Sequence, residues 1–230
     1  MQALTREGIA TLLFGAGAVE FGPKRFKLHD DYPKAPLSLI YTNLRSKPKG
    51  HLTPETLRAI GYHLAKIYME GRAENFNYVV GLPNAGEPLA TAFVEYYREY
   101  RTDRKVELIY LDKVEEENGR RIVAKPGQKL RRGNKVLMID DALSLGGTKI
   151  EAIPALRSMG LRVNQCIVLI DNEFGGEWPL MQIGVEVIKS SGISNWLNCF
   201  EAWGLISRER HFETIDRIRQ IAKYLHLQMK

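Results

Sequence analysis

The stretch VLMIDDALSLGGT, Val136 to Thr148, decides the reading of this chain. Four apolar residues, Val136 to Ile139, are followed by two acids, Asp140 and Asp141. Small and hydroxyl residues with paired glycines come next, and a helical pattern starts at Lys149 and runs towards Met159. The order is buried strand, acid pair, glycine turn, helix N-terminus. Unpaired N–H groups and a partial positive charge make a helix N-terminus a natural phosphate site. Gly146 and Gly147 let the backbone approach an anion, and Ser144 and Thr148 add hydroxyl donors. Adjacent carboxylates at a strand end accept hydrogen bonds from sugar hydroxyls or bind a hard cation. One element can therefore hold a ribose and its phosphate. The stretch is not a Walker loop, because no Gly-Lys-Ser/Thr closes it, and it lacks the three spaced glycines of the dinucleotide fingerprint.

Working outward, strands and helices alternate. Asn77 to Leu82 reads as a strand and Gly86 to Tyr100 as a helix. Val106 to Leu111, Lys135 to Asp141, Gln165 to Asp171 and Val185 to Lys189 read as further strands. This alternation predicts an α/β fold with a mostly parallel sheet and helices on both faces. Ligands in such sheets bind at the carboxyl ends of strands, where the strand order reverses. Gly81 to Ala90, GLPNAGEPLA, is a second strand–turn–helix junction, in which Pro83, Asn84, Ala85 and Gly86 offer small residues and free amides to an anion. Lys113 to Arg132 is polar and reads as a long loop or hairpin, suited to a lid. In the N-terminal part, Thr5 to Phe14 reads as a helix, and Phe26-Lys-Leu and Leu39-Ile-Tyr as short strands. Thr53 caps a helix with Pro54 at its first position. The tail from Glu209 to Met229 carries Phe212, Ile215, Ile218, Ile221 and Leu225 on one stripe, for core or dimer packing.

Composition narrows the classes. The chain has 230 residues, 44% of them hydrophobic and 26% charged, enough for one large domain with a real core. We expect residues 1–52 to form a small covering segment and residues 53–230 the core. A net charge of +6 without a block of five like charges does not argue for nucleic acid. The short clusters Lys47–Lys49 and Lys129–Arg132 read as solvated surface. Two cysteines imply no disulfide framework, and Cys166, inside an apolar run, reads as a buried thiol. No run of about 18 apolar residues is present, so no membrane partner is expected. The N-terminus lacks a signal-peptide layout, and a soluble, cytoplasmic protein is the expectation.

The Val136–Thr148 stretch resembles the phosphoribosyl-pyrophosphate (PRPP) motif of the type I phosphoribosyltransferases, in which two acids and a short Thr/Ser/Gly loop follow an apolar strand. The resemblance implies that Asp140 and Asp141 contact the ribose hydroxyls and stand near Mg2+. It gives the 5'-phosphate to the loop Ala142, Leu143, Ser144, Leu145, Gly146, Gly147 and Thr148, and the pyrophosphate to Leu82, Pro83, Asn84, Ala85 and Gly86. Along most of its length the chain is similar to the orotate branch of that family. Phe26-Lys-Leu and Leu39-Ile-Tyr-Thr-Asn-Leu-Arg resemble a hood over the base, and Tyr110-Leu-Asp-Lys-Val a strand entering a catalytic loop. Ile170-Asp-Asn-Glu-Phe-Gly-Gly resembles a strand and turn near the base. This implies Lys113 as a catalytic cation, with Arg120, Arg121 and Lys125 as weaker candidates, His29 and Asn172 near the base, and a homodimer. The sequence departs from that branch at Asp112, Glu116, Asn118 and Asn172, where cations or a histidine stand in the relatives. The resemblance implies transfer of a phosphoribosyl group from PRPP to a nucleobase, orotate in the first instance. The departures keep open another base or a non-catalytic PRPP-binding regulator.

Overall fold

In a computed structural model of the chain, residues 3–45, 48–71, 75–83, 85–103, 105–116 and 119–228 are described. The side chains of residues 113, 115, 116 and 119–121 lie outside that description. The elements in chain order are α1 (Arg6–Gly15), β1 (Val19–Lys24), α2 (Leu28–Asp31), β2 (Ser38–Thr42), α3 (Pro54–Gly71), β3 (Tyr78–Gly81), α4 (Gly86–Tyr100) and β4 (Glu107–Ile109). They continue with β5 (Leu111–Glu116), β6 (Gly119–Ala124), β7 (Lys135–Leu143), α5 (Gly147–Ser158), β8 (Arg162–Asp171), α6 (Glu177–Gln182), β9 (Glu186–Gly192), α7 (Ile193–Ala202) and α8 (Arg208–Gln228).

The apolar runs become a five-stranded sheet of order β4-β3-β7-β8-β9, parallel at every pairing. Strands buried on both faces read as continuous apolar runs, and their residues alternate between two cores. Val79, Leu137, Ile139, Ile167 and Leu169 pack in the cluster that also holds α3 and α4. Val80, Met138, Cys166 and Val168 pack in the cluster that holds Ala152, Ile153 and Leu156 of α5. The chain leaves β3 for β4 on one side and later returns as β7 on the other. The carboxyl ends of β3 and β7 therefore flank the reversal point, where such sheets open a ligand crevice.

The N-terminal part differs from expectation. Phe26-Lys-Leu is not a strand. The strand lies earlier, as β1, and pairs antiparallel with β2 from Val19↔Thr42 to Lys24↔Ser38, with an irregularity between Phe21 and Lys24. Phe26 instead enters the turn of α2, because His29 holds it from both sides. The His29 N–H donates to the Phe26 carbonyl (3.0 Å), and the Phe26 N–H donates to His29 Nδ1 (2.9 Å). The expected strand Val106 to Leu111 is broken at Tyr110. There the Gln128 amide replaces a strand neighbour, accepting from the Tyr110 N–H (2.7 Å) and donating to its carbonyl (2.9 Å). The polar segment that follows is a hairpin, β5 against β6.

Helix α8 buries Ile215, Ile218, Ile221 and Leu225. Phe212 does not join them. It is half exposed, and His211 turns inward in its place, 2.8 Å from the Asn198 side-chain oxygen. The stripe is intramolecular core, in contact with α7 and β2. Three helices lie where the sequence pattern suggested none: α2, α6, and α7, which buries Ile193, Trp196, Leu197 and Phe200. Cys166 and Cys199 are both free thiols, and burial pushes the Cys166 thiol up to about 12. Among the described residues no helix is long and apolar enough to cross a membrane.

Candidate active site

A cleft of about 500 Å3 opens at the carboxyl ends of β3 and β7, beneath the β1–β2 sheet. One wall is the segment from Asp140 to Lys149, every residue of which except Leu143 lines the cleft. Strand β7 continues two residues past the acid pair, and Leu143 is fully buried beneath it. The two carboxylates are fixed by the backbone: Asp140 Oδ1 accepts from the Asp141 N–H (3.0 Å) and Asp141 Oδ1 from the Ala142 N–H (2.8 Å). Gly146 then takes a left-handed φ of +81° at the start of α5, a conformation that favours glycine, and no side chain caps the helix there. The first-turn amides of α5 are thus at the disposal of an anion.

The second wall is the turn from β3 into α4. Pro83 and Ala85 line the cleft; Asn84 lies outside the described residues. No side chain caps α4 either. Leu82 is fully buried and ties the turn to β7 through its N–H to the Ile139 carbonyl (2.9 Å). Gly86 is buried against β7 rather than lining the cleft. Two uncapped helix N-termini therefore face one cleft, with the acid pair between them.

The outer end carries aromatic and cationic groups from the N-terminal segment. Phe26 meets Tyr41 at 5.4 Å and Phe174 at 5.6 Å between ring centroids, both edge-on. Arg25, Lys27 and Arg45 line the same end, and Lys27 reaches Glu151 of α5 at 3.0 Å. Asn172 is at the cleft, where its side-chain Nδ2 donates to Ser144 Oγ (2.8 Å) and its N–H to the Leu143 carbonyl (2.8 Å). His29 is not part of this lining. Its ring is buried, with Nδ1 on Phe26 and Nε2 3.3 Å from the Pro36 carbonyl, so it shapes the covering segment instead. Lys113 lies on β5 opposite Ile122, but its side chain, like those of Arg120 and Arg121, is outside the described residues. Lys125 sits at the hairpin base, 3.5 Å from Asp112, over the Tyr110 ring and 4.0 Å from Glu87 of α4, and is not part of the cleft lining.

Sequence reasoning missed Lys149, Arg25, Lys27 and Arg45. Lys149, in the first turn of α5, is only 3% exposed in its side chain. It donates to Asp140 Oδ2 (2.6 Å) and to the Ala142 carbonyl (2.7 Å). Burial alone would lower the Lys149 pKa, but the surrounding acidic groups, Asp140 first, together outweigh it and the net shift is upward. Asp141 is raised too, which for a carboxyl disfavours the charged form: burial first, then the Asp140 charge, raises it from 3.8 to about 7. A carboxyl whose folded pKa is raised binds its proton more tightly when folded. Its contribution to stability is present at low pH and is lost as pH rises from about 4 to about 7. In the ligand-free, metal-free protein, Asp141→Asn should remove this loss. The stability difference between variant and wild type, measured by urea unfolding at a series of pH values, is expected to grow in the variant's favour across that window and stay level above it. A difference independent of pH would refute the raised carboxyl.

The chain's segment 51–181 matches the family model of the phosphoribosyl transferase domain. The chain belongs to that family. The orotate phosphoribosyltransferase of Methanoculleus marisnigri is 28% identical to this phosphoribosyltransferase over 191 residues, 83% of this chain and 97% of the relative. That of Cenarchaeum symbiosum is 26% identical over 201 residues, 87% of this chain and 92% of the relative. Among solved structures, Leishmania donovani UMP synthase superposes with a TM-score of 0.72 at 27% identity, covering 93% of this chain but 42% of that longer one. The orotate phosphoribosyltransferase of Aeropyrum pernix shares the fold, with a TM-score of 0.63 at 19% identity over 86% of this chain and 99% of that one. The phosphoribosyltransferase is thus a type I member of α/β fold, similar to orotate phosphoribosyltransferases over most of its length.

Proposed function

We propose that this phosphoribosyltransferase transfers the phosphoribosyl group of PRPP to orotate, giving orotidine 5'-monophosphate and pyrophosphate. The carrying observation is that one cleft holds the acid pair, two uncapped helix N-termini and a cationic aromatic outer end. In this reading the 5'-phosphate takes the amides and hydroxyls of Ser144 to Thr148, and the ribose hydroxyls face Asp140 and Asp141. The pyrophosphate takes the turn from Leu82 to Gly86. Orotate lies against Phe26 and Tyr41. Its carboxylate meets Arg25, Lys27 or Arg45, which supply at the hood the positive charge that Asn172 lacks. A ring nitrogen bonds to C1 of the ribose while the bond from C1 to the diphosphate oxygen breaks, and the diphosphate leaves with that electron pair. Closure of the β5–β6 hairpin would shield the cationic ribose centre from water, and Lys113 would stabilise the leaving diphosphate.

Mg2+ is part of the proposal. Among the described residues no group of three or more acids, histidines or cysteines is placed to hold a metal. Asp140 and Asp141 nevertheless offer hard oxygens, and Mg2+ is commonly held by one or two carboxylates together with substrate phosphates. Bound that way it would neutralise diphosphate charge. A homodimer is proposed with it, as the resemblance to the family implies.

The test is calorimetric titration with PRPP and Mg2+, followed by orotate and then a panel of other bases, with pyrophosphate release recorded. Release on orotate alone is expected, and Arg25→Ala should raise the KM for orotate by about tenfold, the loss of one charged hydrogen bond. Release only with a different base would move the specificity to that base, a second reading favoured by the amide of Asn172 in the cleft. Binding without release from any base would leave a PRPP-binding regulator.

A further inference from the structure

The proposed function does not account for Lys149. A lysine in the first turn of a helix sits at the positive end of the dipole, and burying its ammonium costs solvation. Both penalties are answered by Asp140 at 2.6 Å and the Ala142 carbonyl at 2.7 Å. Stability does not explain the arrangement, because an apolar residue at 149 facing Cys166, with a neutral one at 140, would be about as stable as a buried ion pair. Its consequence lies in the cleft. Asp140 Oδ1 is committed to the Asp141 N–H and Oδ2 to Lys149. Asp141 has one oxygen on the Ala142 N–H, and its carboxyl lies beside that of Asp140.

Resting on the PRPP reading above, we propose that Lys149 is the positioning residue of the ribose subsite. It serves as a built-in counter-cation for Asp140, so that the acid pair presents one net negative charge, on Asp141, to an anionic substrate. Two bare carboxylates would repel the phosphates of PRPP and depend on a divalent cation to mask them. With Lys149 in place, half of that masking is supplied by the protein, and the Asp140 carboxylate is locked in the orientation that aims the Asp141 N–H and side chain.

The experiment titrates PRPP, with saturating Mg2+ and again with EDTA, into the wild type, Lys149→Met, Lys149→Arg and the neutral pair Asp140→Asn/Lys149→Met. Lys149→Met is expected to weaken PRPP binding by about 10–100-fold, the usual effect of losing an outer partner of a binding group. The loss should be greater in EDTA than in Mg2+. Lys149→Arg should recover part of the affinity. The neutral pair lacks the Asp140 carboxylate and should bind more weakly than wild type, but it restores one net charge, so in EDTA it should bind PRPP more tightly than Lys149→Met. A merely structural pair would not move the Mg2+ dependence. Wild-type affinity in Lys149→Met under both conditions would overturn the proposal while leaving the PRPP reading standing, as would a neutral pair no tighter than Lys149→Met in EDTA. Absence of PRPP binding by the wild type would overturn both. If Lys149→Met does not fold, Lys149→Gln, which keeps a donor towards Asp140 but no charge, is compared with the neutral pair in its place, and the same two outcomes decide.

Discussion

Asp141→Asn is expected to weaken PRPP binding by about 30- to 1,000-fold, and the double variant Asp140→Asn/Asp141→Asn to abolish it within the range of calorimetry. The first figure follows from two charge-assisted hydrogen bonds to ribose hydroxyls, together worth about 2–4 kcal/mol. Asparagine keeps the shape and one acceptor, but it turns the other oxygen into a donor facing a donor. The effect should fall on binding and not on folding. Asp141 is at the cleft rather than in either core, and its raised carboxyl makes the charged form a burden on the unliganded fold. Far-UV circular dichroism should therefore match wild type, and denaturant stability at neutral pH should match or exceed it. Undiminished PRPP binding in Asp141→Asn would remove the acid pair from the ribose subsite, and the proposed function with it.

The parts legible in the sequence are those governed by local rules. Val79, Val80 and Val136 to Ile139 read as strands because both faces of β3 and β7 are buried, and buried strands are uniformly apolar. The turn at Gly146 reads as a helix start because its left-handed backbone favours glycine. Helix α7 has a sequence signal too, since Ile193, Trp196, Leu197 and Phe200 follow the helical i, i+3, i+4, i+7 spacing. Strand β1 was not legible: Gly22, with φ of +113°, and Pro23 sit inside it and signal a turn, and only pairing with β2 across some twenty residues makes it a strand. His29 faces inward for a tertiary reason, the main chain of Phe26 and Pro36. Lys149 was hidden for another: a lysine in a first helical turn reads as solvated, and its burial appears only when β7, its turn and α5 fold back to place it on Asp140. The cationic end of the cleft was hidden likewise, because Arg25, Lys27 and Arg45 flank elements that converge only through the β1–β2 sheet.

Gly86→Ala is expected to destabilise the protein by about 3 kcal/mol, at the top of the usual range for overpacking, and to weaken PRPP binding by more than the lost stability explains. A Cβ at Gly86 would stand 2.5 Å from the Ile139 carbonyl oxygen and 3.4 Å from Asp140 Cα. These are main-chain atoms of β7, held in the sheet by β3 and β8, and cannot rotate away. Gly81 makes the reciprocal approach, with a Cβ there 2.3 Å from the Gly86 carbonyl oxygen. The only relief is to push the β3–α4 turn off β7. That same movement separates the α4 N-terminus from the acid pair, so packing and the two-anion geometry fail together. Gly15→Ala is the matched control. It ends α1 with open space around it and an ordinary φ, and an added methyl there should leave urea unfolding within about 1 kcal/mol of wild type. Urea midpoints and PRPP titration of the two variants decide the matter. If Gly86→Ala unfolds with Gly15→Ala and binds PRPP like wild type, the turn does not press against β7, and the two helix N-termini are not held in register by it.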